Sequence, residues 1–187
     1  MAAVAAGCGD DEPQELRGGD PARERSDRAA KPPAGWRTVQ NERAGFTLSV
    51  PETWSARQKG PATLILSDDR LVSVTGAADR TRDGRSTPPA EFARATLRSL
   101  PGFKGSVAMG VRRIEGSPYR AARADARGRL ATSKVPQRIT AAVFQRPGRV
   151  TYAVLVFRNA RVKPRFNEPV VERMLRSFRA QAPDFTP

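Results

Sequence analysis

Residues 150–157, near the end of the chain, constrain the fold more than any other segment. They read VTYAVLVF and are apolar on both faces of an extended strand. A strand of this kind must be covered on both sides, so it belongs in the middle of a sheet. Residues 138–146 form a second apolar run, and Pro147-Gly148 between the two runs predicts a hairpin over 138–146 and 149–158. The chain therefore contains an antiparallel sheet with a buried central strand.

Five further segments have strand patterns: residues 45–50, 63–67, 70–75, 106–114 and 119–130. In the first, Phe46, Leu48 and Val50 alternate with small polar residues, which predicts a strand with one buried face. Asp68-Asp69 separates the second segment from the third and predicts a hairpin turn. The fourth segment has the weakest alternation.

Two segments have helical periodicity. The first follows Thr87-Pro88, where Thr87 is expected to cap the helix and Pro88 to occupy its first position. The second covers about 168–179, and one apolar stripe of this helix is expected to face the core. That stripe consists of Val170, Val171, Met174, Leu175 and Phe178.

The order of these elements places the chain in the α+β class. A strand and a hairpin precede one helix, a meander of about four antiparallel strands follows, and a second helix ends the chain. We expect one domain over residues 36–187, with an antiparallel sheet of about six to seven strands and two main helices packed on it. A chain of 187 residues has room for one such domain and a tail, but is short for two domains.

The first eight residues resemble the end of a bacterial lipoprotein signal peptide. Ala5-Ala6-Gly7-Cys8 fits the lipobox, in which small residues precede a cysteine that accepts a diacylglyceryl group. The resemblance implies that residues 1–8 are a signal remnant and that Cys8 is the lipidated first residue of the mature protein. The lipid would then hold the protein at the outer face of the cytoplasmic membrane.

Residues 9–35 have the composition of a disordered polar tether. They contain seven acidic and five basic residues, eight glycines and prolines, and no aromatic or β-branched residue. Such a segment cannot bury enough apolar surface to offset its ordering entropy. A flexible coil of this length spans about 30 Å, which would keep a domain near a membrane but clear of it.

The lipoprotein interpretation has an alternative. A complete secretory signal needs a basic n-region and an apolar h-region of about 7–15 residues, whereas seven residues, none of them basic, precede Cys8. The interpretation therefore expects an in-frame extension upstream of Met1. If Met1 is the true start, the alternative is a cytosolic basic adaptor or chaperone-like module, which could associate with nucleic acid.

Two absences restrict the chemistry. The chain has no histidine, and Cys8 is its single cysteine. Histidine-based triads, HExxH zinc sites, Cys/His zinc modules and internal disulfides are excluded. The hydroxyl nucleophiles have no histidine base to activate them, and no glycine-rich phosphate loop is present. We expect no enzymatic activity, no cofactor and no bound metal.

The charge of the expected domain is strongly positive. The whole chain carries +14, and because residues 9–35 contribute −2, residues 36–187 carry +16. A sequence pI near 11.4 is typical of proteins that bind nucleic acid. The aromatic residues are few, however, and most fall on predicted core faces, so no row of rings is left to stack bases. Nucleic acid is therefore not an expected partner.

One strand gathers part of this charge. Within 119–130, the charged residues Arg123, Asp125, Arg127 and Arg129 alternate with alanine or glycine, so they share one face. Arg112 lies on the preceding strand. The four arginines are candidate binding residues for phosphates, carboxylates or acidic polysaccharide. The alternative is a solvent-exposed sheet face that charge keeps soluble.

The ordered set of segments resembles the PsbP-like α/β/α sandwich superfamily, and in it the bacterial lipoprotein branch of LpqN-type proteins. The matching segments are GFTLSVPETW at 45–54, the helix start at Thr87-Pro88-Pro89, YAVLVF at 152–157 and MLRSFR at 174–179. The resemblance covers about 36–180 and brings no catalytic motif with it. It implies a non-catalytic binding or assembly module for an envelope protein or an anionic envelope component, by analogy of fold.

Overall fold

The computed structural model describes residues 31–60, 62–69, 72–80, 87–133, 135–146 and 150–181. The signal remnant with Cys8, most of the tether predicted at 9–35, and the Pro147-Gly148 turn lie outside these ranges. The helices of the described residues are α1 (Pro89–Arg98) and α2 (Pro164–Arg176), and neither is long and apolar enough to cross a membrane.

The strands form two antiparallel sheets. The small sheet has the order β1-β2-β10, with β1 (Trp36–Asn41), β2 (Phe46–Pro51) and β10 (Arg179–Ala180). The strands of the large sheet are β3 (Ser55–Lys59), β4 (Ala62–Leu66), β5 (Val72–Arg80), β6 (Lys104–Arg113), β7 (Arg120–Arg129), β8 (Gln137–Arg146) and β9 (Val150–Asn159). The order of the large sheet is β3-β4-β5-β9-β8-β7-β6.

β9 lies in the middle of the large sheet, with three strands on each side of it. Its residues Val154 and Val156 are buried in the core on one face, and Leu155 and Phe157 pack in the core on the other. The predicted central position of this strand is confirmed. A seven-stranded antiparallel sheet with two helices packed on it also confirms the predicted α+β class.

Each face of the large sheet has its own cover. α1 covers one face, where Ala93 and Leu97 pack near Ala141 of β8. The small sheet and α2 cover the other face. There the ring of Phe46 on β2 lies so close to β5 that a Cβ added to Gly76 would stand 2.8 Å from its Cζ. The large sheet is therefore the middle layer, with α1 on one side and the small sheet and α2 on the other.

α1 begins one residue later than predicted. Pro88 is the N-cap, Pro89 is the first helical residue, and no side chain caps the helix. The predicted Thr87 cap is wrong because a proline restricts the residue before it to extended backbone, and Pro88 precedes Pro89. The carbonyl of Thr87 instead accepts a hydrogen bond from Nε2 of Gln145 at 2.6 Å.

α2 is displaced from the predicted range of about 168–179. It begins at Pro164, where the missing N–H costs nothing, and it keeps Pro169 in its interior, whereas a start at 168 would put Pro169 in the first turn. Phe178 therefore follows the helix and is not part of its apolar stripe. The side chain is nevertheless buried, with its ring stacked 4.1 Å from that of Phe144.

The sequence pattern predicts neither β1 nor β3. Both lie at the edge of their sheets, and their sequences, WRTVQN and SARQK, are polar. Polar and charged side chains on an edge strand prevent pairing with other chains. The same residues remove the apolar alternation by which a strand is predicted.

Candidate anion-binding site

The sheet face beneath α2 carries a row of three arginines. In the strand register, Arg127 of β7 pairs with Arg138 of β8, and Arg138 pairs with Arg158 of β9. Directly paired residues have their side chains on the same face of a sheet, and like charges placed there destabilise it. This arginine row therefore requires carboxylates nearby.

α2 supplies two of these carboxylates. Glu168 and Glu172 are four residues apart, so they lie on the same side of the helix. Oε1 of Glu168 accepts a hydrogen bond from Nη2 of Arg123 at 2.7 Å, and its Oε2 accepts one from Nη1 of Arg158. Oε1 of Glu172 accepts a hydrogen bond from Nη1 of Arg123 at 2.5 Å. These ion pairs join the helix to β7 and β9.

β7 supplies the third carboxylate. Asp125 accepts hydrogen bonds from Nη2 of Arg123 at 3.1 Å and from the hydroxyl of Thr140 at 2.5 Å. Thr140 in turn accepts one from Nη2 of Arg158 at 2.5 Å. The side chains of Arg123 and Arg158 are each only 3% exposed. We call the connected residues the ionic floor: Arg123, Asp125, Thr140, Arg158, Glu168 and Glu172.

The charges of the ionic floor shift pKa values in and beside it. Burial alone would raise the pKa of Glu168, but hydrogen bonding to Arg123 and the charge of Arg158 lower it below its usual value. Burial would lower the pKa of Arg123, but its hydrogen bond to Glu168 and the charge of Asp125 raise it. The pKa of Arg138 is lowered by burial and by the positive charge of Arg158. The shifts of Arg123 and Glu168 favour the charged form of both partners, so this ion pair is maintained at neutral pH.

A cleft of about 470 Å³ opens above the ionic floor. Five arginines and two carboxylates line it, together with small side chains of β6 and β7 and the first residue of α2. The lining residues are Ser106, Ala108, Arg112, Arg123, Asp125, Ala126, Arg127, Arg138, Arg158, Pro164 and Glu168. The volume is within the range of about 300–1,000 Å³ that is usual for ligand sites. We call this site the arginine cleft.

The structure brings together three of the four arginines predicted from the sequence. Arg112 and Arg127 are exposed and line the cleft, whereas Arg129 is exposed but does not line it. Arg123 also lines the cleft. It does not lie on an open face as predicted, because α2 covers it and two carboxylates of that helix, Glu168 and Glu172, pair with it. The sequence pattern along β7 thus located one wall of the site.

The sequence pattern did not identify three charged residues of the cleft as site residues: Arg138, Arg158 and Glu168. The predicted hairpin had a two-residue loop, 147–148, which would place Arg138 opposite Phe157. In the structure β8 ends at Arg146 and β9 begins at Val150, so Arg138 pairs with Arg158. Because a shift of one residue moves every side chain to the other face, this small difference concealed the arginine row.

Several guanidinium donors in the cleft have no protein acceptor among the described residues. The side chain of Arg127 makes no hydrogen bond or ion pair with any of them, and Arg112 has only a 3.8 Å contact with Asp125. The Nε atoms of Arg123, Arg138 and Arg158 are also unpaired within this part of the chain, but they are buried, so the donors open to an anion include those of the exposed Arg112 and Arg127. Guanidinium groups bind carboxylate and phosphate oxygens through paired N–H donors. The arrangement can therefore hold an anion.

Metal-ligand donors are not grouped in this way. Within the ranges that the structure covers, no group of three or more histidine, cysteine, aspartate or glutamate side chains could hold a metal ion. The three carboxylates of the ionic floor are instead directed at the guanidinium groups of Arg123 and Arg158.

Comparison of structures finds solved proteins with a similar fold, whereas comparison of sequences finds no similar protein. No protein-family model and no curated protein sequence is similar to this chain. A point mutant of the protein Mog1 has a similar structure, with a TM-score of 0.58 and 10% identity over 81% of this chain and 99% of that one. The Ran-binding protein Mog1p of Saccharomyces cerevisiae has a TM-score of 0.51 and 9% identity over 78% of this chain and 95% of its own.

A mycobacterial protein is also among the similar structures. LpqN of Mycobacterium tuberculosis, described as involved in cell envelope biogenesis, has a TM-score of 0.48 and 16% identity over 78% of this chain and 90% of that one. The Mog1 structures show that the domain shares the α+β fold of Mog1, which confirms the predicted α+β sandwich, whereas the PsbP-like label and the lipoprotein branch stay predictions. At these identities the likeness extends to the fold alone.

Proposed function

We propose that the protein is a non-catalytic binding module that holds an anionic partner in the arginine cleft. The observation that carries this proposal is the lining of the cleft, where five arginines face two carboxylates. The partner is an acidic segment of an envelope protein or an anionic envelope polymer. We further propose that a lipid on Cys8 and the tether at 9–35 hold the module at the outer face of the cytoplasmic membrane.

The ionic floor supports this proposal by its rigidity. Arg123 and Arg158 are each held by at least two hydrogen bonds, so they are already in position before a ligand arrives. Groups that are fixed in advance lose little conformational entropy on binding. Arg112 and Arg127 at the edge of the cleft have spare donors and can turn toward an anion. The site thus combines a rigid floor, in which Arg123 and Arg158 are paired with three carboxylates, with adjustable arginines at its edge.

The fold is compatible with a protein partner. Mog1p, whose structure is similar, is a Ran-binding protein, so a domain of this fold binds another protein in that case. The surface used there and the nature of that partner are not transferred to this chain. What supports an acidic partner here is the charge of the cleft itself.

Fluorescence anisotropy with fluorescein-labelled hexaglutamate and with labelled inorganic polyphosphate tests the binding proposal on the full chain. Arg127→Gln should weaken binding of the preferred probe by about tenfold, because one charge-assisted contact contributes about 1.5–3 kcal/mol. Arg129→Gln is the matched control, since Arg129 is also exposed on β7 but lies outside the cleft. It should change the affinity by less than about twofold. The preference between the two probes distinguishes an acidic protein segment from a polymer.

Equal losses from the two substitutions would show that the probes respond to net charge only, and would exclude the arginine cleft as the site. Binding in the cleft should also weaken as salt rises, because the exposed arginines are screened. Affinity that does not depend on salt would contradict the proposal as well.

A further inference from the structure

A second cavity, of about 210 Å³, lies beside the end of α2 on the outer face of the small sheet. In β2, Phe46 and Leu48 are in the core, so Thr47 between them points to the opposite face. The last residues of the predicted tether line the cavity as well. The full lining is Lys31, Pro32, Pro33, Thr38, Thr47, Ser49, Arg173, Ser177 and Arg179. We call it the tether pocket, and it shares no lining residue with the arginine cleft.

Three positively charged side chains from separate parts of the chain line this pocket. Lys31 precedes β1, Arg173 lies in the last turn of α2, and Arg179 lies on β10. Among the described residues, the lining contains no aspartate or glutamate, and none of the three cations forms an ion pair. The arginine cleft differs, because two carboxylates are part of its lining. The tether pocket therefore gathers positive charge that the described side chains do not neutralise.

The C-terminal end of α2 does not account for this charge. Basic side chains in a last helical turn are stabilised by the partial negative charge there, which is roughly half an elementary charge. Arg173 lies in that turn, but Arg179 follows the helix and Lys31 comes from the other end of the domain sequence. Three full positive charges exceed this partial charge. The remaining positive potential favours an anion in the pocket.

The two guanidinium groups are held in place and still have donors for a ligand. Nη1 of Arg179 donates hydrogen bonds to the carbonyl oxygens of Arg176 at 3.0 Å and Phe178 at 2.7 Å. Its Nη2 has no acceptor among the described residues. The guanidinium carbon of Arg173 lies 5.4 Å from the ring centroid of Trp36, a cation–π contact that uses none of its N–H donors. Groups positioned in advance lose little conformational entropy when a ligand binds.

We propose that the tether pocket binds the phosphate group of a small phosphate ester, held by Lys31, Arg173 and Arg179. Phosphate oxygens point in several directions, so donors on different sides of the pocket can contact one phosphate, and both arginine and lysine bind this group. A carboxylate has two oxygens in one plane and suits fewer donors. The volume of about 210 Å³ is below the usual range for larger ligands, which begins at about 300 Å³. The pocket thus fits an ester the size of a lipid headgroup.

Such an ester has two sources, an anionic phospholipid or a small soluble molecule. The position of the pocket favours the lipid, because residues 31–33 of its lining belong to the predicted tether at 9–35. A lipid on Cys8 would keep the pocket within about 30 Å of the membrane surface. The phosphate site itself depends neither on that anchor nor on the arginine cleft.

The first test is a titration of the ¹⁵N-labelled full chain with glycerol 3-phosphate, followed by NMR at the backbone amides of Ser49 and Ser177, which line the pocket. Both resonances should shift with saturation. Arg173→Gln should weaken binding by about tenfold, because it removes one charge-assisted contact. Arg176→Gln is the matched control, since Arg176 is exposed in the same helical turn but does not line the pocket. It should change the affinity by less than about twofold.

Co-sedimentation with phosphatidylcholine vesicles that contain phosphatidylglycerol distinguishes the two sources. If the lipid headgroup is the ligand, Arg173→Gln should bind these vesicles about fivefold more weakly than Arg176→Gln, because both variants lose the same surface charge and the first also loses a contact. If the ligand is soluble, the two variants should bind vesicles equally and still differ in the glycerol phosphate titration. Equal behaviour of the two variants in both assays would overturn the proposal.

A third variant separates this site from the arginine cleft. Arg127→Gln should leave the glycerol phosphate affinity measured at Ser49 and Ser177 within about twofold of wild type, because Arg127 does not line the tether pocket. A loss as large as that of Arg173→Gln would contradict the proposal. Hexaglutamate binding should in turn be within about twofold of wild type in Arg173→Gln. The failure of one site is therefore visible independently of the other.

Discussion

At the scale of single residues, Glu168 both lines the arginine cleft and stabilises the packing of α2 on the sheet. Its two oxygens hold Arg123 and Arg158, which are buried beneath α2. Glu168→Gln should lower the free energy of unfolding by about 3 kcal/mol at neutral pH, the low end of the cost of breaking a buried ion pair. The cost is at the low end because Arg123 keeps Glu172 and Asp125. Urea unfolding of the two proteins measures the difference.

The same substitution predicts a dependence on pH. Because the pKa of Glu168 is lowered in the folded state, its stabilising contribution is complete above the unfolded value of about 4.3. It is lost as the pH falls through the lower folded value. The difference in unfolding free energy between wild type and Glu168→Gln should therefore shrink between about pH 4.3 and more acidic pH. A difference that stays constant down to the acid transition would contradict the assignment.

Phe178 tests the aromatic core on the same face of the large sheet. Its ring is stacked on that of Phe144 at 4.1 Å, and the ring centroids of Tyr152 and Phe46 lie 5.3 Å and 5.9 Å from its own. Phe178→Ala should cost about 3–5 kcal/mol, because this buried site cannot collapse onto the missing ring. Chemical denaturation gives the value. A loss under about 1 kcal/mol would contradict the packing.

At the scale of elements, the two sheets approach each other closely at Gly76 of β5. Gly76→Ala should destabilise the domain by about 1–3 kcal/mol, since the new Cβ would stand 2.8 Å from the ring of Phe46. Gly110→Ala in β6 is the control, because nothing lies within 4 Å of its added Cβ. It should change stability by no more than about 0.5 kcal/mol. Equal effects at the two positions in thermal unfolding would mean that backbone freedom, not the sheet contact, sets the cost.

The elements also show which parts of the fold can be predicted from the sequence. β2 and β9 can be predicted from their own apolar residues, because a buried strand carries a pattern of apolar side chains that is visible in the sequence. β1 and β3 are polar edges and leave no such pattern. The first and last residues of α2 depend on whether Pro169 can lie inside the helix. The packing of the helix against the sheet decides this. Local patterns thus predict the interior of the fold better than its borders.

The arginine cleft could be predicted only in part for a related reason. Arg123 and Arg127 share a face of one strand, and strand periodicity shows this without a structure. The pairing of Arg138 with Arg158 depends on the register between two strands, and the position of Glu168 depends on how α2 lies across them. Register and packing are relations between segments. A single sequence specifies them too weakly to be read segment by segment.

At the scale of the whole molecule, the proposed location depends on the residues before the domain. The lipoprotein proposal predicts that the chain, expressed from its native upstream DNA, is found in the membrane fraction with a diacylglyceryl adduct on Cys8. Intact mass spectrometry after fractionation detects the adduct. Cys8→Ala should move the protein to the soluble or the unprocessed fraction, because the thiol that accepts the lipid is absent.

The control in this experiment is the fold of the domain. The melting temperature of the Cys8→Ala chain should equal that of the wild type, because the whole tether at 9–35 separates Cys8 from the expected domain at 36–187. An unmodified wild-type chain that begins at Met1 would contradict the lipid anchor and favour the cytosolic basic adaptor. The arginine cleft would then need an anionic partner inside the cell, and the hexaglutamate and polyphosphate titrations would still identify its chemistry.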